Sequence, residues 1–375
     1  MSAAETVFES IGARGGDLID APITIEASIP LELSGEVVRN RICTFTDENG
    51  LEWALRPDLT LPVAQAELAV RQNGEPQETL RHYRGPVFRL PTVPNEPIEY
   101  EQVGLERFGA ARGVEEDVWL FETLAQACNA AGVTTGATAF GDLAIFPAFV
   151  EALGLPDDVV AGLKRAFRQA GGVRAFLAGH AEAPRGLTGR LAGMERADVS
   201  AFVDDILAMT QVQPVGERST DEIVERLYRR AQSVSGVTLS DEVNQLLETL
   251  LSVDTALADA PDALKALAES AGLRTLSDTL DNFAKRTARL LETPHAGLLK
   301  GARFATRFGR RFTYYDGFVF EISAGSDASA TARPFAAGGR YDSLLSDLSG
   351  GAVNATAIGG IIIPHRLAEL AGADS

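Results

Sequence analysis

The sequence predicts an α+β fold, one sheet with helices interrupted by a helical insertion, and three observations carry that prediction. Strand-like alternation appears near residue 100, where Ile98, Tyr100, Gln102, Gly104 and Glu106 alternate with Val103 and Leu105. It returns near residue 320, where Phe318, Phe320 and Ile322 alternate against Val319 and Glu321. Between the two, aromatic and β-branched runs thin out and helical spacing dominates. A sheet that resumes after a helical block implies a discontinuous core, residues 1–145 and 297–375, with an insertion at 146–296.

In the first region, Arg81 to Gly109 reads as two extended limbs joined by a turn-rich loop, the first limb ending at Arg89. Val118, Phe121, Leu124, Ala125 and Cys128 then follow helical spacing, and Gly132 is the expected stop. In the insertion, Ser219 and Glu222 fit a capping box ahead of Ile223, Leu227 and Tyr228. Val243, Leu246, Leu247, Leu250 and Leu251 form one apolar stripe; Leu276, Leu280, Phe283, Thr287, Leu290 and Leu291 form another. Gly154-Leu155-Pro156, Gly171-Gly172 and Pro294 separate helices. The last region carries a strand at 318–322, a Gly-Gly turn at 338–339 and an apolar run from Ala357 to Ile363.

With 375 residues, 45% hydrophobic and 23% charged, the chain has enough apolar content for a large core and a second unit. No apolar run reaches the roughly 20 residues needed to span a bilayer, and MSAAETVFES lacks the order of a signal peptide. Cys43 and Cys128 form no close pair, so a cytoplasmic protein without disulfides is expected. The net charge of −18 weighs mildly against nucleic acid; Arg303, Arg307, Arg310 and Arg311 are the densest basic patch. His82, His180, His295 and His365 show no ligand spacing, so no metal is expected. Neither a dinucleotide fingerprint nor a P-loop occurs, and no cofactor is indicated.

Four segments can carry chemistry. In LRPDLTLP at 55–62, Pro57 favours an extended Arg56, and an extended run puts Arg56, Asp58 and Thr60 on one face. There Asp58 can accept from an amine and Thr60 adds a hydroxyl; the alternative is a strand-to-turn junction with a solvated Asp58. Gln102 and Glu106 share a strand face, with Gly104 leaving room for a ligand at the backbone. Glu99 and Glu101 on the opposite parity leave open which face is inward. FGRRFTYYDGFVFE at 308–321 gathers Arg310, Arg311, Tyr314 and Tyr315, suited to a small zwitterion or phosphate, or else to edge-strand packing. AAGGRYDSL at 336–344 places two glycines before Arg340-Tyr341-Asp342, which points to a tight turn with close backbone approach.

Taken in order, these segments resemble the class II histidyl-tRNA synthetase core, whose sheet is antiparallel. FESIGARGGDLIDAPI is similar to its opening helix and first motif, with Pro22 at the dimer-interface proline. LRPDLT is similar to LRPEGT; HYRGPVFR and EYEQVGLERFG resemble the two limbs of motif 2; IGGIIIPHR resembles motif 3. The resemblance implies that Asp58, Thr60 and Gln102 hold an α-amino group and that Glu106 reads an imidazole with Tyr315 as its partner. It also puts Tyr341 in the pocket and Arg310 at the arginine meeting the histidine carboxylate. RRFTYY in place of RGLDYY leaves Arg310 against Arg311 open. Arg89 is the motif 2 arginine.

The nucleotide machinery departs from the family. Pro91 replaces the adenine-contacting glutamate of FRxE, the loop carries Pro94, Glu96 and Pro97 but no arginine, and Ile363 replaces a glycine ahead of Arg366. No C-terminal anticodon-binding domain is expected. This combination is similar to the regulatory subunits of ATP phosphoribosyltransferase. That resemblance implies a non-catalytic chain with no catalytic residue of its own, partnered with a short-form catalytic subunit. It further implies a homodimer within a hetero-octamer, histidine as effector, no tRNA and no membrane. A truncated amino-acid-activating enzyme and a scaffold with a vestigial pocket are the alternatives.

Overall fold

In the computed structural model, residues 1–72, 74, 78–93, 96–169, 171–181, 191, 194–210, 224–225, 227–228, 239–309, 314–325 and 333–371 are described. The capping box expected at Ser219 and Glu222 and the pair Arg310 and Arg311 lie outside them. The described chain forms two compact units, 1–148 with 250–375, and 149–249.

The strands of the first unit are β1 (Asp17–Leu18), β2 (Thr24–Glu26), β3 (Thr44–Thr46), β4 (Glu52–Leu55), β5 (Thr79–Phe88), β6 (Glu99–Phe108), β7 (Ala137–Asp142), β8 (Asp254–Ala256), β9 (Arg303–Ala305), β10 (Phe318–Ser323), β11 (Pro334–Arg340) and β12 (Ala357–Ile362). Nine of them make one sheet in the order β1-β5-β6-β12-β11-β10-β7-β9-β8, and β2-β4-β3 make a small second sheet. The central pairings are antiparallel; among the described residues only β1 with β5 and β7 with β9 run parallel.

Helix α1 (Ala3–Gly12) opens on a capping box between Ser2 and Glu5. Short helices α2 (Ser28–Leu33) and α3 (Glu36–Arg39) precede α4 (Thr60–Gln72), and α5 (Val114–Ala130) ends before Gly132 at φ +90°. Helices α1 and α5 pack together and lie on the central strands. Beneath α5, Phe121, Phe140 and Phe320 meet with ring centroids 5.3–6.1 Å apart.

Two double glycines explain how the sheet serves both faces. Gly338 pairs with Gly360, and Gly339 with Gly359. A Cβ at Gly338 or Gly360 would press on Leu120 or Leu124 of α5; one at Gly339 would meet the Tyr315 ring. The expected turn at 338–339 is therefore continuous strand within β11. Glycine is required there by close approach of neighbours on both sides, not by a reversal of the chain.

The expected boundary at 297 also moves, because the core resumes at residue 250. β8 pairs with β9 and so extends the main sheet. Along the chain follow α6 (Ile145–Ala152), α7 (Asp157–Phe167), α8 (Gly172–Ala181), α9 (Arg196–Thr210), α10 (Asp241–Ser252), α11 (Ala260–Ser270) and α12 (Ser277–Leu291), and α12 packs on α5. The apolar stripe on α12 buries Leu280, Phe283, Thr287 and Leu290, with the Phe283 ring 4.9 Å from that of Phe304 on β9.

An ion network crosses this part of the core. Arg286 of α12 donates to Asp117 of α5 (2.9 Å) and to Asp142 of β7; Arg340 of β11 donates to the other Asp117 oxygen (2.8 Å). A buried carboxylate flanked by two guanidiniums satisfies the desolvation problem that any one of these charges would pose alone.

In the second unit, α7 and α8 pack together, and Leu191, Val199, Val203 and Val224 form a small buried cluster. Among the described residues no helix is long and apolar enough to cross a membrane.

Helix α13 (Ala296–Leu299) docks on β7 through the buried Thr138, whose Oγ1 donates to Leu298 O at 2.6 Å. Thr138→Val should lower stability by about 1–2 kcal/mol, because the carbonyl loses its hydroxyl donor in a dry site. Urea unfolding measures this; an unchanged midpoint would contradict it. Helices α14 (Leu344–Leu348) and α15 (Pro364–Ala371) complete the first unit.

Candidate functional site

One row of β6 builds the site. Tyr100, Gln102, Gly104 and Glu106 share a face by strand alternation, and all but the glycine bring a buried polar side chain. Glu99 is exposed and Glu101 pairs with Arg84 at 2.7 Å, which settles the parity: Gln102 and Glu106 point inward.

Glu106 is fully buried. Its Oε1 accepts from Thr60 Oγ1 at 2.7 Å and from Tyr83 Oη at 2.6 Å; its Oε2 accepts from Tyr341 Oη. Burial pushes its carboxyl up to about 8, and Asp58 nearby adds to the rise, while the Tyr83 and Thr60 hydroxyls oppose it. On the adjacent strand Gly359 lies opposite Glu106, and any side chain there would overlap the carboxylate.

Asp58 is also buried. Its Oδ1 accepts from Leu61 N at 3.1 Å, and its Oδ2 has no partner. Burial raises its pKa, with the Arg89 guanidinium working in the opposite direction. Gln102 is 1% exposed, and neither its Oε1 nor its Nε2 has a partner. Three buried polar atoms thus stand without a hydrogen bond in one neighbourhood of the fold. Such atoms cost free energy unless a ligand or water satisfies them.

The far wall is aromatic. Tyr314, Tyr315 and Tyr341 are buried, with ring centroids 4.9–5.9 Å apart. Burial drives the phenols of Tyr314 and Tyr315 well above their ordinary value. They remain neutral at physiological pH, able both to donate and to accept.

Arg89 stands at the edge of this group. Its Nε donates to Pro57 O at 2.7 Å, and its guanidinium lies 5.8 Å from the Tyr100 ring centre. Arg366 approaches the same ring at the same distance. Glu96 makes an ion pair with Arg41 at 2.9 Å and faces Arg366 at 3.9 Å. Ile363 is buried ahead of Arg366.

The structure therefore brings together Asp58, Thr60, Gln102, Glu106, Tyr314, Tyr315 and Tyr341, with Arg89 beside them. Two sequence expectations change. Arg56, Asp58 and Thr60 do not share an extended face, because Thr60 is the first residue of α4. Arg56 turns away and donates to the carbonyls of Ala21, Pro22 and Pro86. Nor does Gly104 leave room for a ligand: a Cβ there would meet the Tyr83 hydroxyl at 2.6 Å, so the glycine makes a lane for Tyr83. Tyr83 is the partner sequence reasoning missed. The antiparallel register sets it opposite Gly104. Among the described residues no cluster of His, Cys, Asp and Glu could hold a metal.

Comparisons with known proteins give the family and the fold. A family model described as histidyl-tRNA synthetase matches residues 2–197 and 190–361. An ATP phosphoribosyltransferase regulatory subunit from Rhizobium rhizogenes is 32% identical over 358 residues, 92% of this chain and 91% of that one. One from Agrobacterium fabrum is 31% identical over 386 residues, 99% of this chain and 97% of that one. Among solved structures, an ATP phosphoribosyltransferase regulatory subunit/histidyl-tRNA synthetase from Bacillus halodurans superposes with a TM-score of 0.59 at 19% identity, covering 98% of this chain and 77% of that one. A histidine–tRNA ligase subunit from Alicyclobacillus acidocaldarius gives 0.56 at 20% identity, covering 99% and 92%.

Proposed function

The chain belongs to the ATP phosphoribosyltransferase regulatory subunits, built on a histidyl-tRNA synthetase-like fold, and from that premise we propose that it is the non-catalytic histidine sensor of the first step of histidine biosynthesis. A short-form catalytic subunit needs it for full activity, and histidine bound to it inhibits the assembly. The two proteins form a cytoplasmic hetero-oligomer, a hetero-octamer, that contains a homodimer of the synthetase-like core. No tRNA takes part.

The observation that carries this reading is the unsatisfied polar set beside Glu106. Asp58 Oδ2 and the Gln102 amide offer acceptors and a donor, as an α-ammonium and its neighbouring groups require. Glu106, oriented by three hydroxyls, offers an acceptor to an imidazole N–H. Tyr315 and Tyr341 close the aromatic side, and Arg310 or Arg311 is assigned to the carboxylate. Histidine bound more tightly in one quaternary state shifts the assembly by that difference and no more. A tenfold preference corresponds to about 1.4 kcal/mol.

The test is co-purification with a short-form catalytic subunit, then assay with and without histidine, alongside calorimetry on the chain alone. The expected result is histidine binding by the chain and inhibition of the complex. Activation of the catalytic subunit with no histidine response would favour a scaffold with a vestigial pocket. The competing reading, an amino-acid-activating enzyme, draws on the retained Arg89 and Arg366 around Tyr100. Against it stand Pro91 in the loop, the Glu96 carboxylate facing Arg366 and the buried Ile363. Pyrophosphate exchange with ATP and histidine should be absent; robust exchange would reverse the assignment.

A further inference from the structure

The tyrosine wall is made by two segments that no strand ladder joins. Tyr314 and Tyr315 precede β10, whose pairing with β11 begins only at Val319 opposite Gly339. Tyr341 follows β11. Between the two segments lies Asp316. Its Oδ1 accepts from Asp342 N at 3.0 Å and its Oδ2 from Ser343 N at 2.8 Å, while its own N–H donates to Arg340 O at 3.0 Å. One residue thus fastens the 314–316 segment to the 340–343 turn through both carboxylate oxygens and its backbone.

We propose that Asp316 is a positioning residue: its carboxylate, clamped across the backbone of Asp342 and Ser343, sets the orientation of Tyr314, Tyr315 and Tyr341 against Glu106 and thereby the selectivity of the site. The rest of the turn is anchored on its other side. Asp342 Oδ1 accepts from Ala357 N at 3.0 Å and from Arg340 Nη1 at 3.3 Å, and its Oδ2 from Arg112 Nε at 2.8 Å. Tyr341 N donates to Ala357 O at 2.8 Å. These bonds fix the turn to β12, and the Asp316 carboxylate bridges that turn to the Tyr314–Tyr315 segment. Two backbone N–H donors, one on each oxygen of a single carboxyl group, fix its plane, because hydrogen bonds are directional. The rings respond to small displacement because they are packed: a Cβ at Gly339 would stand 2.9 Å from the Tyr315 ring, so the ring has no slack on the sheet side.

The ligand arm of the test rests on the histidine-sensor reading; the other arm does not. Asp316→Asn keeps one acceptor and turns an amide N–H₂ toward a donor, whereas Asp316→Ala removes both. Calorimetry with histidine should show affinity lowered about tenfold in Asp316→Asn and about a hundredfold in Asp316→Ala, at a temperature where both are folded. A purely structural role would lower the melting temperature and leave these values in place. In the unliganded protein, alkaline titration of tyrosinate absorbance should show phenols ionising before unfolding in Asp316→Ala and not in wild type. If the wild type binds no histidine, the sensor reading fails and the tyrosinate titration alone decides the role of Asp316. If Asp316→Ala does not fold, Asp316→Asn carries both measurements. Unchanged tyrosine ionisation in the folded variants overturns the proposal, whatever the ligand arm reads.

Discussion

Glu106→Gln is expected to lower histidine affinity about a hundredfold while making the unliganded protein more stable above neutral pH. The first effect follows from the donor set. Three hydroxyls already meet Glu106, and when a ligand N–H takes the place of its proton, released to solvent, the carboxylate has lone pairs left for that N–H. A glutamine of the same shape offers one oxygen and one N–H₂, so the imidazole meets a donor or the tyrosines must turn. Hydrogen bonds to charged groups contribute about 1.5–3 kcal/mol, and a hundredfold corresponds to about 2.7 kcal/mol.

The stability effect has the opposite sign. The Glu106 carboxyl rises from 4.5 to about 8 on burial. A carboxyl whose folded pKa is raised holds its proton more tightly in the native state. Its contribution is full below pH 4.5 and is lost as pH rises toward about 8. Glutamine cannot ionise, so the variant should be flat across that window and about 2–4 kcal/mol more stable than wild type at its upper end. Urea unfolding at the two ends of the window, with calorimetry on the same samples, measures both effects. Equal affinity for histidine and the same discrimination against other amino acids would remove Glu106 from the reading.

The parts of this site that were legible in the sequence share a physical reason. Glu106 and Gln102 stand two periods apart on one strand, and strand parity is a local property that sequence carries directly. Helix α5, the strand at 318–322 and the apolar stripes of α10 and α12 were legible on the same ground. Tyr83 was not, because its role depends on cross-strand register. That register sets Tyr83 opposite Gly104 across a connection that local pattern does not measure. Gly338-Gly339 misled for a related reason: glycine pairs mark turns and close approaches alike, and only the neighbours on β10 and β12 distinguish them. Thr60 looked extended after Pro57, yet it opens α4, where its hydroxyl reaches Glu106. The boundary at 297 erred because α12 is as helical as the insertion, and its place in the core comes from contacts with α5 and β9 that helical spacing alone cannot show.

Gly359→Ala should abolish histidine binding, and its neighbour Gly360→Ala should not. A Cβ at Gly359 would land inside the Glu106 carboxylate and 2.6 Å from Leu105 O. The carboxylate would have to leave the hydroxyls of Thr60, Tyr83 and Tyr341. The carbonyl cannot retreat without opening the β6–β12 ladder, in which Gly359 pairs with Glu106 and Gly360 with Leu105. Gly360 sits one residue on and faces the other way. A Cβ there would meet Leu124 of α5 and Ala337 O, both at 2.7 Å, far from the carboxylate. Both substitutions overpack a tight sheet and should each cost about 1–3 kcal/mol of stability. Only the first displaces a ligand group, so the pair separates damage to the sheet from damage to the site. Thermal melts establish that both variants are folded, and calorimetry at a temperature below both transitions reads the binding. Histidine binding by Gly359→Ala at wild-type affinity would mean that the ligand does not depend on Glu106 as the structure holds it. Equal loss in both variants would mean that binding follows sheet integrity and not the carboxylate.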